Sequence, residues 1–519
     1  MKRKGLFLIL AVLLLCSTLL SCRSQNISEE EVLVLEAIFR SGLEMQDDPF
    51  VRAETLRVMA LTEDPRLGEW AEPLSRDPDR MVRIAALRKL VQSGHELASR
   101  RALMNFTRGT ETEQYQVLET VLRYGNESLR DSILERAQRS TSAKIRLRAL
   151  EAGLLKEIDE ARQSGDPRLG AELLPALGRY VEDEDPQIAA RALRALLEVG
   201  QEERARRFID TFLNQGASLE ERRAAGRILV AVRAESARDA FLEILERDGA
   251  YEDETFGIPQ QRIDRELVRY AILGMSALGD EQFARPTQDY RTGADVEQTL
   301  EVLAALAPNP SADAAVTLST AMRDAHPEIR RRAIVLYGER ADAQSSRLRG
   351  AMGREDFEAQ KLVVQILVER FADEWVDFLR TRLQSSQYGD VEQTLEQLRT
   401  LIRTEEELST ISGLRGELEH LVTLSIDDSQ QQARIRSMAG YVLMRTSGGV
   451  ESQLVGDDVV DLETRYAYLE YLIQNEPRAH VELFRSHLFD DSFALRLMAA
   501  AGLARAFAAT IDWPDSSPE

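Results

Sequence analysis

The sequence predicts an all-α protein, an α-solenoid or superhelix of about 13 helix–turn–helix repeats. Three observations carry that reading. A single helical phrase recurs along the chain as Val51/Thr55/Leu56/Met59, Val82/Ala86/Leu87/Leu90, Ile145/Ala149/Leu150 and Ile188/Ala192/Leu193/Leu196. It returns as Leu267/Ala271/Ile272/Met275, Ile329/Ala333/Ile334/Tyr337, Ile435/Ala439/Gly440/Leu443 and Leu495/Ala499/Ala500/Leu503. A cap-forming residue stands three positions before most copies, and a second amphipathic segment lies between copies. No stretch alternates with period two or carries a hairpin Asn-Gly, so no strand is expected.

Within the phrase, i, i+4 and i+8 fall within about 80° of one helix face. Position i+4 is Ala in every copy but the first, which lets a neighbouring helix approach closely. The residue three before the phrase is Asp48, Asp79, Ser142, Asp185, Asp264, His326, Gln432 or Ser492. Asp and Ser there satisfy orphan amides of a first helical turn. Pro49, Pro186 and Pro327 follow, at the position where a missing N–H costs nothing. The phrase is therefore expected to open a helix in every copy. Position i+1 is Arg52, Arg83, Arg146, Arg330, Arg436 and Arg496 in six copies. A cation in the first turn opposes the helix dipole and needs carboxylate or carbonyl partners. Two readings follow, a structural arginine ladder stitching neighbouring repeats and an arginine-lined anion groove. The first helices of the repeats are read at 66–76, 97–106, 128–139, 169–181, 203–213 and 237–246.

The register breaks between Ile188 and Leu267, where chain is in surplus. The surplus at 248–262 carries Tyr251, Glu252, Asp253, Glu254 and Phe256, a candidate partner-binding loop of aromatics among acids. A second irregular insertion is read at 280–293, and residues 509–519 as a disordered tail. Insertions in repeat proteins map to one face, often the binding face.

The turn-plus-helix phrase resembles the HEAT repeat, whose hallmark is Asp-Pro-x-Val-Arg-x-x-Ala at the start of its second helix. Asp48-Pro49-Phe50-Val51-Arg52 matches it directly. Asp79–Ala86, Asp185-Pro186-Gln187-Ile188 and His326-Pro327-Glu328-Ile329-Arg330 match nearly, with Ala189 replacing the Arg in the third. The resemblance covers residues 29–508, and the short repeat length is similar to the compact bacterial type. Tetratricopeptide repeats have a comparable period, but their Trp-x-x-Leu-Gly-x-x-Tyr signature is missing. The HEAT resemblance implies a concave protein-binding surface lined by the second helices.

Residues 1–21 have the layout of a signal peptide, with Lys2, Arg3 and Lys4 ahead of an apolar run from Leu6 to Leu15. Leu19-Leu20-Ser21-Cys22 resembles the bacterial lipobox, which implies that Cys22 is acylated and becomes the new N-terminus. Residues 22–28 then form a lipidated end and short linker. Arg23 follows the Cys where an inner-membrane retention signal would have Asp. The expected address is therefore the cell envelope, at the outer membrane facing the periplasm. The only other cysteine is Cys16, also in the leader, so no disulfide is expected.

The net charge is −22, and loss of the three leader cations leaves −25. Such a surface repels nucleic-acid phosphate and anionic lipid, so no nucleic acid is expected as a partner. Catalytic signals are weak. Of the five histidines only His95-Glu96 forms a His-Glu pair, and one pair cannot build an iron site of the kind HEAT hydroxylases use. No zinc-protease, phosphate-loop or nucleophile-elbow motif is present. The sequence thus predicts no catalytic residue, no metal and no cofactor. It predicts a non-enzymatic, lipid-anchored envelope scaffold that binds protein partners through its concave face. The alternatives are a recognition module for a cell-wall polymer, and a lyase or hydroxylase on the same repeats.

Overall fold

The computed structural model describes residues 27–513, apart from 65, 167, 249–258, 354–355, 403, 427, 448–461 and 512. Among the described residues every regular element is helical, and the helices follow one another as antiparallel pairs. The chain is an α-helical repeat protein of the solenoid class. Contacts divide it into two compact units. Unit 1 holds residues up to Glu135 together with those from Leu379 onward, and unit 2 holds Arg136–Phe378.

The recurring phrase sits on the second helix of each pair. The helices Pro49–Met59, Arg80–Gln92, Ala143–Leu150 and Pro186–Glu198 start where the sequence places them. Asp48, Asp79, Ser142 and Asp185 each accept a backbone N–H of the first turn. Capping of this kind contributes about 1 kcal/mol per helix. Phe493–Ala506 and Pro327–Glu339 also start on time, although Ser492 and His326 make no side-chain cap bond.

Two copies depart from the expectation. The helix carrying Leu267 begins at Pro259, and the one carrying Ile435 begins at Ser429, so neither Asp264 nor Gln432 is a cap. Pro259 takes the first helical position, where its missing N–H costs nothing. Asp428 accepts from the amides of Gln430 and Gln431 and so caps the other helix early. The stretch at 280–293 also differs from its reading. It holds a 3-10 turn at Glu281–Phe283 and a helix at Ala284–Asp289, which together serve as the first helix of a repeat.

Second helices pack side by side in both units. In unit 1 Pro49–Met59 packs on Arg80–Gln92, which packs on Glu111–Tyr124. Further along, Tyr388–Leu401, Ser429–Ser447, Leu462–Asn475 and Phe493–Ala506 form an unbroken row. In unit 2 the row runs Pro186–Glu198, Leu219–Val232, Pro259–Ala277, Val296–Leu306, Pro327–Glu339 and Phe357–Arg370. Close approach between layers is bought at glycines. A Cβ on Gly226 would lie 2.8 Å from the Phe212 ring, and on Gly274 or Gly502 it would overlap Phe241 or Phe484.

The last helix does not end the row. Ten of the fourteen residues of Phe493–Ala506 are buried, on all sides of the helix. A helix that is apolar all round must be covered all round. Its second cover is the start of the chain, since Phe493–Ala506 packs on Glu29–Leu43 and on Pro49–Met59. A Cβ on Gly42 would meet the Phe493 ring at 3.0 Å. Arg485 donates to Glu31 at 2.7 Å, and Arg505 pairs with Glu63. Trp513 closes the joint. Its ring lies 6.5 Å from that of Phe39 and 4.4 Å from the Arg66 guanidinium. Residue 513 is thereby held in place, while 512 and 514–519 of the expected tail lie outside the described residues.

Gly502→Ala tests the tight approach. Alanine favours a helix by about 1 kcal/mol, yet overlap with Phe484 costs about 1–3 kcal/mol. Urea denaturation is expected to show a net loss, and a Gly502→Ala/Phe484→Leu double variant should lose less than the sum of the two single changes.

Candidate functional site

Five of the six predicted arginines share one geometry, with Nη1 on two carbonyls of the preceding turn. Arg52 donates from Nη1 to the carbonyls of Met45 and Gln46 at 2.6 and 2.9 Å. Its Nε and Nη2 grip both oxygens of Asp77 in the next repeat at 3.0 Å. Arg146 repeats this on Ser140, Thr141 and Asp183. Arg330 repeats it on Asp324, Ala325 and Asp356. Arg83 binds the carbonyls of Asp77 and Pro78 and pairs with Glu113. Arg496 holds the carbonyls of Asp490 and Asp491, and Arg436 that of Val422. Five of these guanidiniums are directed into their own turn, while Arg436 reaches back to the last residue of the helix Arg415–Val422.

Two parts of the pattern escaped the sequence reading. Arg222, on the second helix Leu219–Val232, is buried and donates to the Phe212 carbonyl at 2.9 Å. The other is the acid five residues before the phrase, at Asp77, Asp183, Asp324 and Asp490. Each accepts the amide two residues on, at 2.7–2.9 Å, which sets the turn. Asp77 and Asp183 are also the acids that the preceding repeat's arginine grips. The signal was in the sequence, as an acid at constant offset from the phrase.

Asp356 is the most heavily loaded acceptor. Burial alone would raise its carboxyl, but donation from Arg331, the Ala359 amide and Arg330 outweighs it and holds the group at about 2. The Asp356 side chain is 3% exposed.

The second-helix face carries a further set of bridges, which skip a helix. In unit 2 Arg227 reaches past Pro259–Ala277 to Glu297 and Glu301, at 3.2 and 2.8 Å. Arg269 shares Glu301 at 2.6 Å. In unit 1 Arg399 reaches past Ser429–Ser447 to Glu463 at 3.0 Å. Arg57 reaches past Phe493–Ala506 to Glu470 at 2.6 Å, and donates to the Tyr466 hydroxyl at 2.9 Å. Tyr466 in turn donates to Glu54. Burial pushes the Tyr466 hydroxyl well above the usual phenol range. At each bridge, side chains of alternate helices meet across this face.

Lys89 lies on this face in unit 1. Burial, with Arg88 and Arg57 adding like charge, pulls its amine down to about 8.

Around the Arg399–Glu463 bridge of unit 1 lies a groove of about 770 Å³. Tyr388–Leu401, Ser429–Ser447 and Leu462–Asn475 contribute its walls. Glu392, Glu396 and Glu463 alternate there with Arg399 and Arg434, over a floor that includes Met438. Arg434 holds Glu392 at 2.6 Å and Arg399 holds Glu396 at 3.0 Å. Leu462, 46% exposed, is an apolar contact at the rim. Fixed charges of both signs beside exposed apolar surface suit recognition of a polypeptide segment.

Cys22 and the loop residues Tyr251, Glu252, Asp253, Glu254 and Phe256 lie outside the described residues. Among the described residues no cluster of His, Cys, Asp and Glu is arranged to hold a metal ion. No described helix is long and apolar enough to cross a membrane.

No family model matches the chain, and no curated protein matches it. Solved structures do. An engineered protein aligns over 91% of this chain and 98% of its own, at 14% identity and a TM-score of 0.19. The karyopherin Kap121p, crystallised bound to the SUMO protease Ulp1p, aligns over 93% of this chain and 54% of its own, at 14% identity and a TM-score of 0.27. UNC-45 from Drosophila melanogaster aligns over 92% and 81%, at 12% identity and a TM-score of 0.24.

Two outcomes follow from the titrating groups. Because the folded carboxyl of Asp356 is depressed, its stabilisation is present above pH ~4 and is lost as pH falls through ~2. Asp356→Asn is expected to cost about 2 kcal/mol at neutral pH in chemical denaturation, with the gap to the parent closing between pH 4 and 2. A limiting dose of an amine-acylating reagent at pH 8 is expected to modify Lys89 ahead of Lys144, Lys156 and Lys361, as read by peptide mass mapping.

Proposed function

We propose that this chain is a non-enzymatic scaffold of HEAT-type repeats, lipid-anchored at the bacterial cell envelope through Cys22. It binds protein partners on the concave face lined by the second helices. The observation that carries the reading is the groove among Glu392, Glu396, Glu463, Arg399 and Arg434. Its walls are second helices, and its side chains are held by ion pairs before any partner arrives. Preorganised side chains lose little freedom on binding. The excess of carboxylates over guanidiniums there, within a chain of net charge −22, favours a partner segment carrying Lys or Arg.

The anchor reading rests on the leader, with its basic start, apolar run and Ser21-Cys22 ending. The first described helix begins at Glu29, so the repeats start close to the acylated end. Six linker residues span at most about 20 Å, which holds the first repeat near the bilayer surface.

Crosslinking and pull-down from envelope fractions test both parts. The parent chain should recover a discrete protein, and Glu392→Arg/Glu463→Arg should lose it while keeping its thermal midpoint. Recovery of glycan instead of protein would overturn the scaffold reading. Cys22→Ala should move the chain to the soluble fraction, and continued membrane retention would remove the anchor.

A further inference from the structure

We propose that one edge of unit 1, marked by Phe489, Phe50 and Met81, docks a cationic amphipathic helix of a partner protein. The surface is separate from the groove and independent of it.

The three side chains are 78%, 64% and 44% exposed. Single exposed apolar residues are ordinary on any protein surface. These three are aligned. Phe50 and Met81 are each the second residue of a second helix, Pro49–Met59 and Arg80–Gln92, directly after the turn. Phe489 stands in the turn between Val481–His487 and Phe493–Ala506. All three therefore lie on the edge where first helices turn into second helices.

The turns are also neighbours. Arg52 bonds at once to the Met45–Gln46 turn and to Asp77 of the next turn. On the other side, Phe493 meets Gly42 at the end of Glu29–Leu43, immediately before the turn that leads to Phe50. The order along the edge is thus Phe489, Phe50, Met81. This row exists only because the last repeat packs on the first.

Packed helices lie about 8–10 Å apart, so the row is roughly 20 Å long with anchors one helix spacing apart. A partner helix rising 1.5 Å per residue matches that spacing with apolar side chains about seven residues apart, at i, i+7 and i+14.

Charge selects the occupant. Glu44, Asp47 and Asp48 flank Phe50, Asp79 precedes Met81, and Asp491 follows Phe489, against Arg76 and Arg80. Asp48 and Asp79 are fixed as helix caps. A second copy of this chain carries the same net charge of −22, and an anionic bilayer is repelled likewise. A helix with Lys or Arg flanking its apolar stripe is the complementary partner.

The probe is a fluorescent Leu/Lys helical peptide with Leu at i, i+7 and i+14, titrated against the full-length chain and read by anisotropy. The parent should bind it, more weakly as salt rises, and a Leu/Glu peptide of the same pattern should not bind. Phe50→Ser/Phe489→Ser should weaken binding at least tenfold with an unchanged thermal midpoint. Because the groove also favours Lys and Arg, the edge is read in a Glu392→Arg/Glu463→Arg background, where Phe50→Ser/Phe489→Ser should still weaken peptide binding. Equal affinity of the parent and Phe50→Ser/Phe489→Ser for the peptide would overturn the proposal. So would loss, in that variant, of phosphatidylcholine/phosphatidylglycerol vesicle binding or of a sedimenting dimer in place of peptide binding.

Discussion

The array depends on one guanidinium used twice. Where the pattern is complete, an arginine in the first turn of a second helix fills the carbonyls of its own turn and grips a carboxylate in the next repeat, as Arg52, Arg146 and Arg330 do. Such a cation is unfavourable by the helix dipole alone. It is stable there because five donors in a planar fork meet two carbonyls and a carboxylate at once. These arginines are 6–8% exposed, so removing one partner would strand a buried charge, at a cost of about 3–5 kcal/mol. Repeat spacing and turn shape are therefore set by the same side chain. In the turns led by Asp77 and Asp183, the gripped acid also accepts an amide of its own turn, so each turn is shaped partly by its predecessor.

What was legible in the sequence was what is encoded locally. Asp48, Asp79, Ser142 and Asp185 act within three residues of themselves, and a helix start needs nothing else. Asp264 and Gln432 failed because Pro259 and Asp428 offer an earlier start, and extending a helix upstream is favourable once a cap exists. The stretch at 280–293 read as irregular because Pro286 masks a helix of only one or two turns. The candidate groove was invisible for a different reason. Its charges come from Glu392, Arg434 and Glu463, whose helices are brought together only by packing. A sequence can show an acid at Asp77, but it cannot show that Arg57 will reach past a whole helix to Glu470.

The packing of Phe493–Ala506 on Glu29–Leu43 was the largest feature missed, yet it left a trace. Phe493–Ala506 has no polar face, whereas the last helix of an open array presents one to water. The run from Leu495 to Ala506 reads as interior. The joint that covers it combines apolar contact, a cation over an aromatic ring and several ion pairs. These respond differently to salt and temperature, so no single condition weakens all of them together.

That joint has a consequence for how the chain is made. Arrays with only neighbouring contacts can fold progressively, each repeat settling on the one before. Here Glu31 waits for Arg485, 454 residues further along, and Phe39 for Trp513. Contacts of such sequence separation form late, after most of the loop entropy has been lost. Glu29–Leu43 remains half-covered until Phe493–Ala506 is synthesised. A polypeptide cut before Phe493 would show the defect at Glu29–Leu43.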